Sequence, residues 1–306
     1  MVVTLPFPFV NSKLKIVILG AGGRLGAALV REYAATCEVA GYNHAQLDLA
    51  NLERLRETIS NERFDVLINA AALTNVDYCE DHRDEAIRLN AEAPQVLAEV
   101  CRNKGARFIH VSTDYVFDGE KQSPYTEEDA ANAISVYGES KRLGELRVLE
   151  ADDRALVIRV SWVFGPDRPS FVDAILKRAR TEEKVAAVAD KFSTPTYTQD
   201  IAQLLRPFFE GEAGAGILHL ANRGACSWQE YAQWALDCCH RVGIPMRAKT
   251  VGALSLSDMK NFVARRPVYT VLATEKYEQL TGRAPRDWHD AVAEYVREKV
   301  APKGFD

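Results

Sequence analysis

Through the first 160 residues, short runs of consecutive apolar positions alternate with longer segments whose apolar positions recur every three to four residues. Leu14–Leu19 is such a run. Its stretch Lys15-Ile16-Val17-Ile18-Leu19 carries no polar position after the lysine, the pattern of a parallel strand buried on both faces. Val39–Tyr42, Val66–Asn69, Phe108–Ser112 and Leu156–Val160 predict four further strands. Between them, the segment from Gly23 to just before Cys37, Leu52–Ser60, Glu85–Arg102 and Val136–Leu149 have helical periodicity. Strands that alternate with helices call for right-handed crossovers, so the expected fold class is α/β, a doubly wound parallel sheet.

After Gly165-Pro166 the pattern changes. Phe171–Arg180 reads as a helix, Ala186–Tyr197 as a proline-containing loop, Ile217–Leu220 as a strand and Trp228–Val242 as a helix. Arginines and aromatics become denser beyond these, at Arg265-Arg266-Pro267, Trp288 and Tyr295. The expected division is a sheet domain over 1–165 and a smaller C-terminal lobe over 166–306, with the segment around 217–220 returning to the sheet. The lobe should stand at the carboxyl ends of the strands, where ligands of open α/β sheets bind.

Composition narrows the partners. Hydrophobic residues at 47% and charged residues at 26% suit a folded domain. A net charge of −5 leaves no basic excess to neutralise phosphates, so no nucleic-acid partner is expected. The six cysteines form no Cys-x-x-Cys pair and no zinc-spaced cluster, which predicts reduced thiols and no metal. Met1–Val10 is apolar but lacks a charged leader, a continuous apolar stretch and a small-residue cleavage site. No apolar run is long enough to span a bilayer. The expected setting is the cytoplasm, with no membrane partner; a homodimer stays open.

Gly20-Ala21-Gly22-Gly23-Arg24-Leu25-Gly26 follows the first strand and opens the first helix, the context in which a glycine pattern signals a dinucleotide. Gly20 permits the tight turn, Gly23 lets backbone approach a pyrophosphate, and Gly26 lets helix and strand pack closely. The helix N-terminus then offers unpaired N–H groups to the phosphates. The sheet domain is thus expected to be Rossmann-type and to bind NAD(P). NAD binders usually carry an acid at the end of the second strand. Here the residues are Gly41-Tyr42-Asn43-His44. With Arg24 able to meet a 2′-phosphate, NADP is the preferred cofactor and NAD the alternative. Asp48-Leu49 stands where a carboxylate can accept from the adenine amino group, or where a turn residue enters the next helix. Asn69-Ala70-Ala71-Ala72 ends a strand with small residues, which would let the nicotinamide-side ribose lie against backbone.

Tyr137-Gly138-Glu139-Ser140-Lys141 puts a phenol and an amine four residues apart, on one face of a helix. A phenol with a pKa near 10 is a poor acid at neutral pH, and a nearby cation would stabilise its phenolate. Lys141 could also hold the ribose hydroxyls. Thr113, just past the fourth strand, supplies a hydroxyl for a substrate carbonyl, with Ser112 as its rival. The predicted catalytic set is Thr113, Tyr137 and Lys141, the last two also touching cofactor.

These residues make the chain resemble the extended short-chain dehydrogenases and, among them, the dTDP-4-dehydrorhamnose reductase family. The matching stretches are Gly20–Gly26, Asn69–Thr74, Ser112-Thr113-Asp114-Tyr115-Val116-Phe117-Asp118-Gly119, Tyr137–Lys141, Arg159–Gly165, Pro195-Thr196-Tyr197 and Arg265-Arg266-Pro267. The resemblance implies reduction of the 4-keto group of a dTDP-linked sugar by NAD(P)H, with the 166–306 lobe binding that substrate. Gly23, Arg24, Leu25, Asp48, Leu49, Ala72, Leu73 and Thr74 would touch the cofactor. Asp114, Tyr115 and Trp162 would line the sugar-nucleotide site, and Arg265 or Arg266 would meet the diphosphate. Two stretches depart from the family pattern: Asn132–Val136 lacks its proline, and Asp190-Lys191-Phe192-Ser193-Thr194-Pro195-Thr196 lacks its glutamine and glycine. An epimerase, another 4-ketoreductase and a non-catalytic NADP-binding regulatory subunit are the rival readings.

Overall fold

In the computed structural model, residues 13–210 and 214–303 are described; the Met1–Val10 stretch read above for targeting lies outside them. The chain runs β1 (Lys15–Leu19), α1 (Arg24–Tyr33), β2 (Glu38–Tyr42), α2 (Leu52–Asn61), β3 (Val66–Asn69), α3 (Val76–Asp81), α4 (Arg83–Ile87), a π-helical turn Arg88–Glu92, α5 (Ala93–Lys104), β4 (Arg107–Thr113), α6 (Val136–Ala151) and β5 (Leu156–Val160). The six-stranded sheet is parallel throughout, in the order Gly216–His219, β5, β4, β3, β1, β2. The C-terminal part therefore does return one strand to the sheet, beside β5.

Alternation along each strand sends neighbouring side chains to opposite faces. Ile16, Ile18, Ile68 and Ile158 pack with α1 and the Thr198–Leu205 helix on one side. Val17, Leu19, Leu67, Phe108 and Val157 pack with α2 and α5 on the other. Every position of β3 and β5 is buried, whereas edge strand β2 is not. After β1 the chain moves to β2 and then back across to β3, so the crevice between the carboxyl ends of β1 and β3 is the topological switch point.

A separate apolar core, including Phe164, Leu176, Tyr197, Tyr231, Leu236, Trp288 and Tyr295, holds the C-terminal elements together. The loop expected over Ala186–Tyr197 instead contributes three short strands: Val185–Val188, Phe192–Ser193 and Thr196–Tyr197. Each pairs with a segment distant in sequence, at Val251–Leu254, Cys226–Ser227 and Val163–Phe164. Strands this short show no readable period, and their hydrogen bonds are non-local. The helix expected over Glu85–Arg102 runs from Arg83 to Lys104 but is interrupted by the π-turn. All six cysteines are buried thiols. No helix among the described residues is long and apolar enough to cross a membrane.

Candidate active site

The floor of the site is the turn from β1 into α1. Gly20 has φ +78°, and a Cβ there would lie 2.8 Å from the Ala71 nitrogen. A Cβ on Gly26 would fall 2.1 Å from the Gly20 carbonyl oxygen, so only glycine lets α1 pack this tightly against the turn. The N-cap of α1 is Gly23, and no side chain caps the helix. Its first N–H groups are left for a ligand, the arrangement that takes a pyrophosphate.

Above this floor opens a cavity of about 950 Å³. Among the expected residues, Gly20, Gly22, Gly23, Arg24, Leu25, Leu49, Ala71, Ala72, Thr74, Thr113, Asp114, Tyr115, Tyr137, Lys141 and Trp162 all line it. Trp162 is the sole non-glycine residue with positive φ (38°) among those described, a conformation that costs energy and tends to mark functional sites. Its buried indole Nε1 has no hydrogen-bond partner. Trp162 and Tyr115 also border an adjoining pocket of about 230 Å³ walled by Phe171, Trp228 and Tyr231.

Four expected residues stand elsewhere. Gly26 serves packing beneath the turn. The Asp48 carboxylate accepts from the Ala50 N–H at 2.9 Å and is half exposed, so it closes a turn while Leu47 and Leu49 face the cavity. Leu73 is held from behind, its N–H and carbonyl both bonded by the buried Asn90 amide at 2.8 and 3.0 Å. Arg265 is exposed and away from the cavity wall. Its neighbour Arg266 pairs with Asp77 at 2.6 Å and lies over the Phe262 ring.

Arg24 lines the cavity, but its guanidinium donates to the carbonyls of Val163, Arg168 and Pro169, across to the C-terminal elements. It does not reach toward Asn43, as a 2′-phosphate contact would need. The guanidinium at that end belongs to Arg168, which donates to the Gly22 carbonyl beside Asn43. Arg168 lies more than a hundred residues from the glycine turn, and no local pattern marks it.

The catalytic candidates come from β4 and α6. Ser135 caps α6, accepting from the Gly138 N–H at 3.2 Å, so Tyr137 falls in the first turn. The Thr113 hydroxyl stands beside the Tyr137 phenol on the cavity wall. It also donates to the Asp114 carboxylate at 3.1 Å and accepts from the Tyr115 N–H at 3.2 Å. Burial raises the phenol's pKa above 10; the Thr113 hydroxyl opposes this, while Asp114 and Cys79 add to it. Ser112, the rival of Thr113, also borders the cavity, but its hydroxyl is committed to Glu145, to which it donates at 2.6 Å. Asp114 is buried and accepts from Ser193 and Thr270, at 3.1 and 2.6 Å. Burial lifts its pKa despite Lys191 and these hydroxyls.

Lys141 does not meet the phenol as expected. Its Nζ donates to the Val111 carbonyl at 2.7 Å and lies 3.3 Å from His110 Nε2. Burial pulls its pKa down to about 8, with Glu145 working the other way. The phenol's shift owes nothing to it. Two buried polar residues around this group, Asn90 and His110, went unread in the sequence, and the buried Asn69 was read only as a strand end. Asn90 sits in the π-turn and donates to Ser140 at 3.0 Å. A polar residue at an otherwise apolar strand or helix position was the available signal.

The architecture is that of a Rossmann-like α/β protein whose cavity opens at the switch point of the sheet. A family model described as RmlD substrate binding domain matches residues 14–300, and the chain belongs to that family. It is 35% identical over 298 residues to a dTDP-4-dehydrorhamnose reductase of Burkholderia thailandensis, covering 94% of this chain and all of that one. It is 36% identical over 284 residues to a probable dTDP-4,6-dihydroxy-2-methyloxan-3-one 4-ketoreductase of Streptomyces antibioticus, covering 92% and 94%. A crystal structure of dTDP-4-dehydrorhamnose reductase from Bacillus anthracis in complex with NADP superposes with a TM-score of 0.88, at 27% identity and over 94% and 99% of the two chains.

Proposed function

We propose that this protein is an NADPH-dependent reductase of a dTDP-linked 4-keto-6-deoxy sugar, converting dTDP-4-dehydrorhamnose to dTDP-L-rhamnose. The observation that carries the reading is the convergence of the Thr113 and Tyr137 hydroxyls, with Lys141, on one wall of a cavity floored by the glycine turn. Those glycines, the uncapped α1 N-terminus and the cavity volume suit a dinucleotide. When bound, the reduced nicotinamide supplies the hydride.

The chain's own residues handle one proton and one oxygen. Tyr137 donates its proton to the ketone oxygen, and the Thr113 hydroxyl steadies that oxygen as charge develops. Burial keeps the phenol protonated until the reaction demands its proton. Lys141, with its lowered proton affinity, is the source from which the phenolate is restored. Trp162 and Tyr115 join the reacting end to the aromatic pocket, which suits the nucleotide end of the substrate. The domain division at 165 follows the same logic, with cofactor mainly on the sheet side and substrate mainly on the lobe side, Arg168 being the lobe residue that reaches the cofactor end. Arg168, rather than Arg24, is the guanidinium suited to a 2′-phosphate.

The test is incubation with dTDP-4-keto-6-deoxy-L-mannose and either NADPH or NADH, followed by absorbance of the reduced nicotinamide. Turnover with NADPH is expected; consumption with neither rejects the reading. Turnover of other dTDP-linked 4-keto sugars only would favour a second reading, a different 4-ketoreductase, which the likeness to the Streptomyces protein supports. The net charge of −5 supports a small-molecule partner over nucleic acid, and the cytoplasm is the compartment proposed with it. Light scattering of the purified chain tests for a homodimer.

A further inference from the structure

His110 and Asn69 have no exposed surface, and neither is used in the chemistry above. His110 Nδ1 lies 3.2 Å from Asn69 Nδ2, and its Nε2 lies 3.3 Å from Lys141 Nζ. Proton positions along this series follow from the one group in it that can only donate. The Ala71 N–H meets Asn69 Oδ1 at 3.1 Å, so that oxygen is the acceptor and the amide NH₂ faces the histidine. His110 Nδ1 must then accept, which leaves the ring proton on Nε2, pointing at Lys141. A free amine has a lone pair to receive that N–H, and one of its own N–H groups goes to the Val111 carbonyl at 2.7 Å. An ammonium has no lone pair. With Lys141 charged, two donors must oppose each other somewhere between Ala71 and Lys141, in a place almost closed to water.

We propose that Asn69 and His110 are positioning residues which, through a one-way series of donors from Ala71, hold Lys141 at the cavity wall and lower its affinity for a proton. A protonated Lys141 then gives up its proton readily. Its N–H bond breaks as an O–H bond forms on the Tyr137 phenolate, by way of an intervening hydroxyl or water, and the amine is recharged from solvent at the cavity mouth. Only this last step rests on the proposed reduction.

The groups facing Lys141 are consistent with the assignment. His110 on β4 stays neutral, pushed well below 6.5 by burial and by Lys141 itself. Glu145 and Tyr137 are its titratable neighbours on α6. The Glu145 carboxylate favours the ammonium, but its oxygens are shared among Arg159 on β5, Arg142 and Ser112. Burial draws the lysine to about 8 in spite of it.

The experiment reads protons rather than turnover. In the full chain with ¹⁵N-labelled histidine and ¹³C-labelled lysine, NMR should find His110 in the Nε2–H tautomer and Lys141 titrating well below its ordinary 10.5. Asn69→Asp replaces the NH₂ with an acceptor, moves the ring proton to Nδ1 and turns Nε2 toward Lys141 as an acceptor. The Lys141 midpoint should then rise by about one pH unit or more. The same substitution in a His110→Phe background should give no such rise, which separates the relay from simple attraction to the new carboxylate. An Nδ1–H tautomer in the unaltered chain, an unmoved midpoint in Asn69→Asp, or a rise that survives His110→Phe overturns the proposal. If the variants do not fold, the tautomer in the unaltered chain decides alone. A protein that reduces no sugar nucleotide would leave both spectra as expected, so failure of the functional reading is distinguishable.

Discussion

At the scale of single residues, the chemistry rests on a few hydroxyl and amine groups whose surroundings are dry. Tyr137→Phe removes the proton donor and keeps the ring that stacks edge-on against Tyr115, 5.7 Å between centroids. Turnover should fall by at least roughly a hundredfold, the scale of a lost general acid, while NADPH affinity measured by fluorescence titration stays within about twofold. Arg168 gives a second prediction at this scale. Arg168→Gln should weaken NADPH binding about tenfold relative to NADH, the worth of one charge-assisted phosphate contact. Equal weakening of both would show that the side chain serves only the Gly22 carbonyl. Arg24→Gln should weaken both cofactors alike, because its guanidinium ties the glycine turn to the 163–169 segment rather than reading a phosphate.

Elements decide whether those groups meet. Helix α6 is seated against the π-turn through Gly144, where a Cβ would lie 2.0 Å from the Asn90 carbonyl oxygen. Gly144→Ala must push the helix away and should cost about 1–3 kcal/mol of stability, measured by urea unfolding, the range for overpacking a tight contact. Turnover should drop with it, since Tyr137 and Lys141 ride on the same helix. Helical periodicity marked α6 and its Tyr137–Lys141 spacing plainly. It could not show that the preceding helix carries an extra residue in one turn, nor that this turn aims the Asn90 amide at Ser140 and Leu73. A π-turn arises from the packing of one helix on another.

For the molecule as a whole, the link between sheet and site passes through the buried Glu145. Arg159 donates to its two oxygens at 2.8 Å each, and Ser112 adds a third bond at 2.6 Å. Burial pushes this carboxyl up, but the bonds from Arg159, Ser112 and Arg142 prevail and hold it below its ordinary 4.5. The stability it contributes is therefore full above about pH 4.5 and is lost as pH falls through the lower folded value. Glu145→Gln, which strands the Arg159 guanidinium, should cost on the order of 3–5 kcal/mol at pH 7 by urea unfolding. That deficit should shrink as the unaltered protein is acidified; a deficit independent of pH would show that charge is not its origin.

The parallel sheet, the glycine turn and the Tyr137–Lys141 pair were determined by the sequence alone, because each depends on spacing within one strand, turn or helix. The tertiary structure decided the rest. It drew Arg24 to the 163–169 carbonyls and brought Arg168 to the cavity lip. It left Asp48 and Arg265 off the wall, built three strands where a loop was expected, and set His110 against Lys141. The physical reason is common to all of these. A buried polar group takes whichever partner the packing delivers, and a two-residue strand takes whichever edge lies open, and both are chosen across distances that local periodicity does not reach.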